Sequence, residues 1–214
     1  MYRLVIFDLD GTLADASAWS PGGARIFDDM RSAIVRLHES GVEMAIATMM
    51  DTLSAMEIVG SWDVHGLFRS VRGADFPCSK GDLIRLCMDD AGASPKETLM
   101  VGDSRSDLAG ARSCGVSFVA APRNGDFDRW DPVAYRPLDG NALAEFVLGA
   151  NGLRMSKLYS QFRFRPHVRG RLRLRKGFHT SGPHDGPWQR QQAQMRIVHR
   201  RQQVRVDNHR QAHP

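Results

Sequence analysis

Residues 1–15 of the chain are MYRLVIFDLDGTLAD, and this stretch decides the class of fold. Five of the six residues from Leu4 to Leu9 are apolar, and Asp8 interrupts them. A short apolar run of this kind predicts a buried strand. Asp8 and Asp10 then stand where that strand ends. Two carboxylates so close together repel each other unless a cation or a proton lies between them. The stretch therefore also predicts a site for a hard divalent cation such as Mg²⁺.

Residues 1–150 alternate between short apolar runs and amphipathic stretches, a pattern that favours βαβ units and a parallel sheet. We expect strands at Arg3–Phe7, Val42–Thr48, Leu67–Val71, Glu97–Val101 and Val116–Ala120. Helices are expected at Ala24–Ser40, from Asp51 or Thr52 to about Val59, from Ser79 or Lys80 to near Gly92, at Arg105–Ser113 and at Asn141–Leu148. The predicted fold is an α/β, Rossmann-like sheet with helices on both faces. Ligands of such sheets bind at the carboxyl ends of the strands.

Four further polar residues fall at that edge of the predicted sheet. Thr48 ends the second strand, and Lys80 lies at a helix start. Asp103 follows the apolar run Leu99-Met100-Val101, and Asp107 comes four residues later. Each alone has an ordinary explanation, since Thr favours strands and an Asp after a strand is usually a turn residue or a helix N-cap. Their shared placement at one edge indicates a common crevice.

DLDGTLAD, the strand ending at Thr48, Lys80 and GDSRSD together resemble the four ordered motifs of the haloacid dehalogenase-like superfamily of phosphohydrolases. The resemblance covers roughly residues 3–148 and is nearest to the phosphoglycolate-phosphatase-like branch. It implies that Asp8 is a nucleophile that forms an aspartyl-phosphate. It also implies that Asp10 protonates the leaving alcohol and then activates water. A phosphotransferase or phosphomutase on the same site is the alternative.

The resemblance also implies the binding residues. Thr48, the backbone N–H of Met49 and Lys80 would hold the phosphoryl oxygens. Mg²⁺ would be held by Asp8, by the backbone carbonyl of Asp10 and by Asp103, with Asp107 as a further ligand or a support for the others. In this family a small polar residue often follows the position of Thr48. Met49 in that place implies an apolar contact near the site.

The chain is too short between its first two motifs for the helical cap that this branch carries. Only 40 positions separate Asp8 from Thr48, and the predicted helix and strand occupy most of them. We therefore expect a site with a minimal cap or none, open to a small phosphorylated metabolite or to a phosphorylated macromolecular end. Closure by a neighbouring subunit, and hence a homo-oligomer, or by the rest of the chain remains an alternative.

Residues 151–214 differ in composition from residues 1–150, the predicted catalytic core. They hold 15 Lys and Arg residues but only two acidic ones, whereas residues 1–150 hold 14 basic and 22 acidic residues. We expect this basic tail to be largely disordered or weakly structured. Three explanations stay open: an arm that binds nucleic acid, in which case the chain could be a non-catalytic binding protein; a solvated appendage or subunit contact; and an out-of-frame or read-through extension.

Composition excludes several other classes. No apolar run approaches the length of a membrane span, and the short N-terminal run carries acids, unlike a signal peptide. A cytoplasmic protein without a membrane partner is expected. Cys78, Cys87 and Cys114 are far apart and include no C-x-x-C pair. Neither a disulfide framework nor a zinc site is indicated, so free thiols are predicted.

Overall fold

The computed structural model describes residues 1–15, 24–122 and 135–149. Its centre is a parallel sheet of five strands in the order β3-β2-β1-β4-β5. The strands are β1 (Leu4–Phe7), β2 (Glu43–Ala47), β3 (Ser70–Arg72), β4 (Thr98–Gly102) and β5 (Ser117–Ala120). The helices are α1 (Asp28–Glu39), α2 (Thr52–Gly60), α3 (Lys80–Ala91) and α4 (Arg105–Cys114), with 3₁₀ turns at His65–Leu67 and Pro95–Glu97. Residues 140–149 are also helical.

The register of the sheet brings the ends of three strands together. Phe7, the last residue of β1, is level with Ile46 on one side and Val101 on the other. The backbone N–H of Asp8 continues this ladder by donating to the carbonyl of Val101 at 2.9 Å. The segments that follow β1, β2 and β4 therefore begin at one edge of the sheet.

Helices cover both faces of the sheet, as the alternation of strands and helices predicted. Side chains of β1 alternate between two buried clusters: Val5 and Phe7 lie in the first, Leu4 and Ile6 in the second. The first cluster also contains the apolar residues of α1, α2 and the helix at 140–149, whereas the second contains those of α3 and α4. β1 is thus buried on both faces, which explains why its sequence is continuously apolar.

Two elements differ from the sequence prediction by more than one residue at an end. Helix α1 begins at Asp28 and not at Ala24, because Ile26 forms an antiparallel bridge with Ala14 and Phe27 is extended. Strand β3 occupies Ser70–Arg72 and not Leu67–Val71. The 3₁₀ turn takes up Leu67, and pairing starts only where Ser70 meets Ala45 of β2.

Among the described residues, neither the segment before β2 nor the segment between α2 and α3 forms a second domain that could act as a cap. Between α2 and α3 the chain forms one 3₁₀ turn, β3 and a loop, and the chain from residue 24 to β2 forms α1. None of the helices in these ranges is both long and apolar enough to cross a membrane. The predicted boundary at residue 150 and the basic tail lie outside the described residues.

Candidate functional site

The carboxyl edge of the sheet gathers most of the polar residues that the sequence singled out. Asp8 follows β1, Thr48 follows β2 and Asp103 follows β4, while Lys80 opens α3 and Asp107 lies in the first turn of α4. Asp103 is half-buried, and the other four residues are buried.

Lys80 is the centre of a buried ion cluster. Its ammonium Nζ donates to Oδ1 of Asp8 at 2.6 Å and to the carbonyl of Ala47 at 2.9 Å, and it lies 2.8 Å from Oδ1 of Asp107. Only 2% of its side chain is exposed. Burial opposes the positive charge, but Asp8 and Asp107 outweigh burial and raise the pKa of Lys80. The lysine is therefore held as a cation beside the predicted nucleophile.

The carboxylates carry more negative charge than Lys80 balances. Burial raises the pKa of Asp8 to about 7; Lys80 opposes that shift, and the charges of Asp107 and Asp103 add to it. Burial, reinforced by Asp107, also raises the pKa of Asp103 to about 6. A cation among these groups would stabilise their ionised forms.

Asp107 serves both helix α4 and the ion cluster. Its Oδ2 accepts hydrogen bonds from the backbone N–H of Ser104 at 3.0 Å and from the Ser104 hydroxyl at 2.6 Å. Ser104 in turn accepts from the backbone N–H of Asp107, which completes a capping box. The N-cap of α4 is therefore Ser104, and the ordinary explanation of Asp103 as a helix cap is wrong.

The donor set fits a hard divalent cation. Asp8, Asp103 and Asp107 each place one carboxylate oxygen so that all three lie within 4.8 Å of one another. Gly11 makes room for this group: a Cβ at this position, where φ is +75°, would lie 2.3 Å from Oδ2 of Asp103. Carboxylate oxygens are the ligands that Mg²⁺ prefers. These three residues could hold such an ion.

Asp10 does not belong to the group of three clustered carboxylates, but its charge contributes, after burial and Asp107, to the raised pKa of Asp103. It is exposed, in a tight turn where Asp10 and Ala14 form a bridge and the N–H of Gly11 donates to the carbonyl of Ala14 at 2.8 Å. An exposed carboxyl group at the edge of the site can exchange protons with a bound molecule or with water. This placement is compatible with the acid/base role that the sequence resemblance implies.

The loop after β2 carries the other two predicted phosphate-binding residues. Thr48 is 2% exposed, and its Oγ1 accepts a hydrogen bond from the N–H of Met50 at 3.2 Å. Met49 lies between them, with 47% of the residue exposed. Polar Thr48 is thus buried at the strand end, and apolar Met49 faces solvent.

The sequence did not predict a set of hydrogen bonds, called the clamp below, between Thr52 at the start of α2 and the loop after β3. Asp75 accepts from the backbone N–H of Thr52 at 2.8 Å and from its hydroxyl at 2.7 Å. The Thr52 hydroxyl also accepts from the N–H of Gly73 at 3.0 Å. A Cβ on Gly73 would lie 2.4 Å from the Thr52 nitrogen. The only local signal in the sequence was the turn composition of the RGADFP stretch.

Known proteins resemble this chain in sequence and in fold. The sequence profile of the haloacid dehalogenase-like hydrolases matches residues 23–121. The resemblance to that family is thus confirmed over this part of the chain. The resemblance to the phosphoglycolate-phosphatase-like branch is also confirmed: a phosphoglycolate phosphatase of Pseudomonas putida is 32% identical over 123 residues, which are 52% of this chain and 45% of that protein. A probable phosphoglycolate phosphatase of Pseudomonas savastanoi is 36% identical over 87 residues, 39% of this chain and 54% of that one. The chain thus spans about half the length of the curated relatives it matches.

Solved structures of haloacid dehalogenase-like proteins share the fold. A putative phosphoglycolate phosphatase from Lactobacillus plantarum superimposes with a TM-score of 0.59 at 16% identity, covering 67% of this chain and 98% of the other. The cobalt-bound deoxy-D-mannose-octulosonate 8-phosphate phosphatase of Haemophilus influenzae gives a TM-score of 0.57 at 18% identity, covering 71% of this chain and 90% of the other. At these identities the likeness establishes the parallel, helix-flanked sheet of the family.

Proposed function

We propose that this chain hydrolyses phosphate monoesters in a Mg²⁺-dependent reaction with Asp8 as the nucleophile. One observation carries the proposal: Asp8, at the end of the central strand, is held by Lys80 while the carboxylates of Asp103 and Asp107 lie beside it. This arrangement pairs an oriented nucleophile with a cation and a metal-binding donor set. Attack on a negatively charged phosphoryl group requires such a nucleophile and nearby positive charge.

The proposed reaction has two steps. An Asp8 carboxylate oxygen forms a bond to phosphorus as the bond to the leaving alcohol breaks, and Asp10 gives its proton to that alcohol. Asp10 then takes a proton from water, whose oxygen attacks the aspartyl-phosphate and frees Asp8 and inorganic phosphate. Lys80 favours the ionised form of Asp8 and holds its carboxylate in one orientation. It would also bind the phosphoryl oxygens together with Thr48 and the Met49 N–H.

The metal site belongs to the same proposal. Asp8, Asp103 and the carbonyl of Asp10 would hold Mg²⁺, with Asp107 as a further ligand or a support. When bound, the ion supplies positive charge against the phosphoryl oxygens. Asp107 already uses one oxygen for Lys80 and the other for Ser104, which favours its role as a support.

A small phosphorylated metabolite is the proposed substrate class, with a phosphorylated macromolecular end as the alternative. The relatives named phosphoglycolate phosphatase make phosphoglycolate one compound to test. We place the activity in the cytoplasm as part of the proposal. Hydrolysis is preferred over phosphoryl transfer to another acceptor, because the described residues provide no cap that would exclude water.

A phosphate-release screen tests the proposal. Sugar phosphates, phosphoglycolate, nucleotides and phosphorylated nucleic-acid ends are incubated with the protein and Mg²⁺, with and without excess EDTA. Asp8→Asn should abolish release with a melting temperature close to that of the parent. Asp89→Asn, which changes an exposed carboxylate of α3, is the matched control and should release phosphate at the parent rate. Equal hydrolysis by the parent and Asp8→Asn would show that the nucleophile is wrong.

A further inference from the structure

Two large apolar side chains are exposed at the edge of the sheet that carries the site. Met49 is 47% exposed on the loop after β2, and Phe76 is 73% exposed on the loop between β3 and α3. Phe76 precedes Lys80 by only four residues. Scattered exposed apolar residues are common, but these two flank the residues assigned to phosphate binding, Thr48 and Lys80.

Hydrogen bonds join the two loops close to Met49 and Phe76 in the chain. The N–H of Ala74 donates to the carbonyl of Met50 at 2.8 Å. The clamp described above adds two hydrogen bonds from Thr52 to Asp75, the residue before Phe76. Met49 directly precedes Met50, and Phe76 directly follows Asp75. Each of the two side chains therefore lies next to a residue that is hydrogen-bonded across the loops. The hydrogen bonds thus hold together the two segments that carry these side chains.

The hydrogen bonds of Thr52 restrict the backbone of the segments that carry Met49 and Phe76. Thr52 is 5% exposed, and its hydroxyl both donates to Asp75 and accepts from Gly73. Pro77 follows Phe76, and a residue before proline is restricted to extended backbone conformations. A backbone that is already fixed lowers the entropy cost of ordering these loops when a ligand binds.

We infer that Met49 and Phe76, held by the Thr52–Asp75 clamp, form an apolar rim that selects phosphate esters whose leaving group has an aromatic or other apolar face. This inference rests on the proposed function and names the substrate class for the same site. The charged end of such an ester would bind at Lys80, and its leaving group would extend toward the two loops. Contact of that group with Met49 and Phe76 would remove apolar surface of both molecules from water.

The test compares two esters in the parent and in Phe76→Ala, with Mg²⁺ present. For each protein, kcat/KM for phenyl phosphate is divided by kcat/KM for ethyl phosphate. Comparing this ratio between the parent and the variant cancels the different intrinsic reactivity of the two esters. Loss of one aromatic contact should lower this ratio by about tenfold. Leu138→Ala is the matched control, since Leu138 is 93% exposed and lies outside both loops. It should leave the ratio at the parent value.

Binding of unreactive analogues separates this inference from the proposed function. Calorimetry with phenylphosphonate and methylphosphonate should show a preference for the phenyl compound in the parent that falls by about tenfold in Phe76→Ala. If no ester is hydrolysed but this preference is found, the proposed function falls and the apolar rim stands. An unchanged ratio together with unchanged binding in Phe76→Ala would overturn the rim. Loss of self-association in that variant with an unchanged ratio would also overturn it, because Phe76 would then be a subunit contact.

Discussion

The ammonium group of Lys80 lies 2.6 Å from Oδ1 of Asp8, although 72 residues separate the two along the chain. The same ammonium lies 2.8 Å from Asp107, and both aspartates are buried. One cation thus offsets the charge of two carboxylates that would otherwise be unpaired in the protein interior. Removing that single cation would leave two buried carboxylates without a counter-charge, which is expected to cost far more than forming the cluster gains.

Lys80→Met should therefore destabilise the fold and abolish hydrolysis. We expect the free energy of unfolding to fall by about 3–5 kcal/mol in EDTA, measured by urea denaturation, and part of the loss to return with Mg²⁺. Lys96→Met, which changes an exposed lysine, should differ little from the parent. A Lys80→Met protein as stable as Lys96→Met would contradict the buried ion cluster.

Gly11→Ala should damage the metal site beyond its effect on the backbone. Gly11 and Gly41 have nearly the same φ, +75° and +77°, so an alanine at either position has a similar backbone strain of about 1–2 kcal/mol. Only at Gly11 would the new Cβ collide with Asp103, since nothing lies within 4 Å at Gly41. Titration with Mg²⁺ should give weaker binding for Gly11→Ala than for Gly41→Ala. Equal affinities would show that Asp103 does not need this space.

Thr52→Val should impair phosphate-ester binding by loosening the clamp between the loops. The variant loses the hydroxyl that joins Asp75 and Gly73, so the loop that carries Met49 is less well held. We expect an increase in KM together with a stability loss of about 1–2 kcal/mol. Thr98→Val is the control, because its buried hydroxyl bonds only to the Ser94 carbonyl at the opposite end of the sheet. If both variants show the same KM, the clamp has no part in binding.

Cys87 should be unreactive in the folded protein. It has no exposed surface, and burial raises the pKa of its thiol to about 12, so almost no thiolate exists at pH 8. Cys78 and Cys114 are half-buried. A disulfide-exchange reagent should label these two before unfolding and all three after it. Because the pKa of Cys87 is higher in the folded than in the unfolded state, its ionisation destabilises the fold only as the pH rises above about 9. Labelling of Cys87 at the rate of the other two would contradict this burial.

Removal of residues 151–214 should leave phosphate release intact, because every residue assigned to the site precedes them. The truncated protein and the full chain are compared in the same assay. Binding of each to DNA and RNA is also measured over a range of salt concentrations, since contacts between arginines and phosphates weaken steeply with salt. A truncated protein that folds and binds Mg²⁺ but has lost turnover would assign the tail a part in catalysis.

The sequence was sufficient for the class of fold because its signals are local. The apolar run at Leu4–Phe7 is buried on both faces in β1, and the helices that follow cover both sides of the sheet. The predictions that were wrong concern the boundaries of single elements. Ile26 is drawn out of α1 by its bridge to Ala14, and β3 starts only where β2 can pair with it. Such pairings depend on distant parts of the chain, which periodicity does not register.

The residue types of the candidate site were likewise evident from the order of Asp8, Thr48, Lys80 and Asp103 along the chain. Their mutual geometry was not, because it depends on the register that sets the ends of β1, β2 and β4 level. Tertiary contacts alone pair Lys80 with Asp107, and they join Thr52 to Asp75 in the segments that carry Met49 and Phe76. Sequence patterns specify which side chains are available at a sheet edge, whereas distance, burial and charge balance arise only when separate strands and helices pack together.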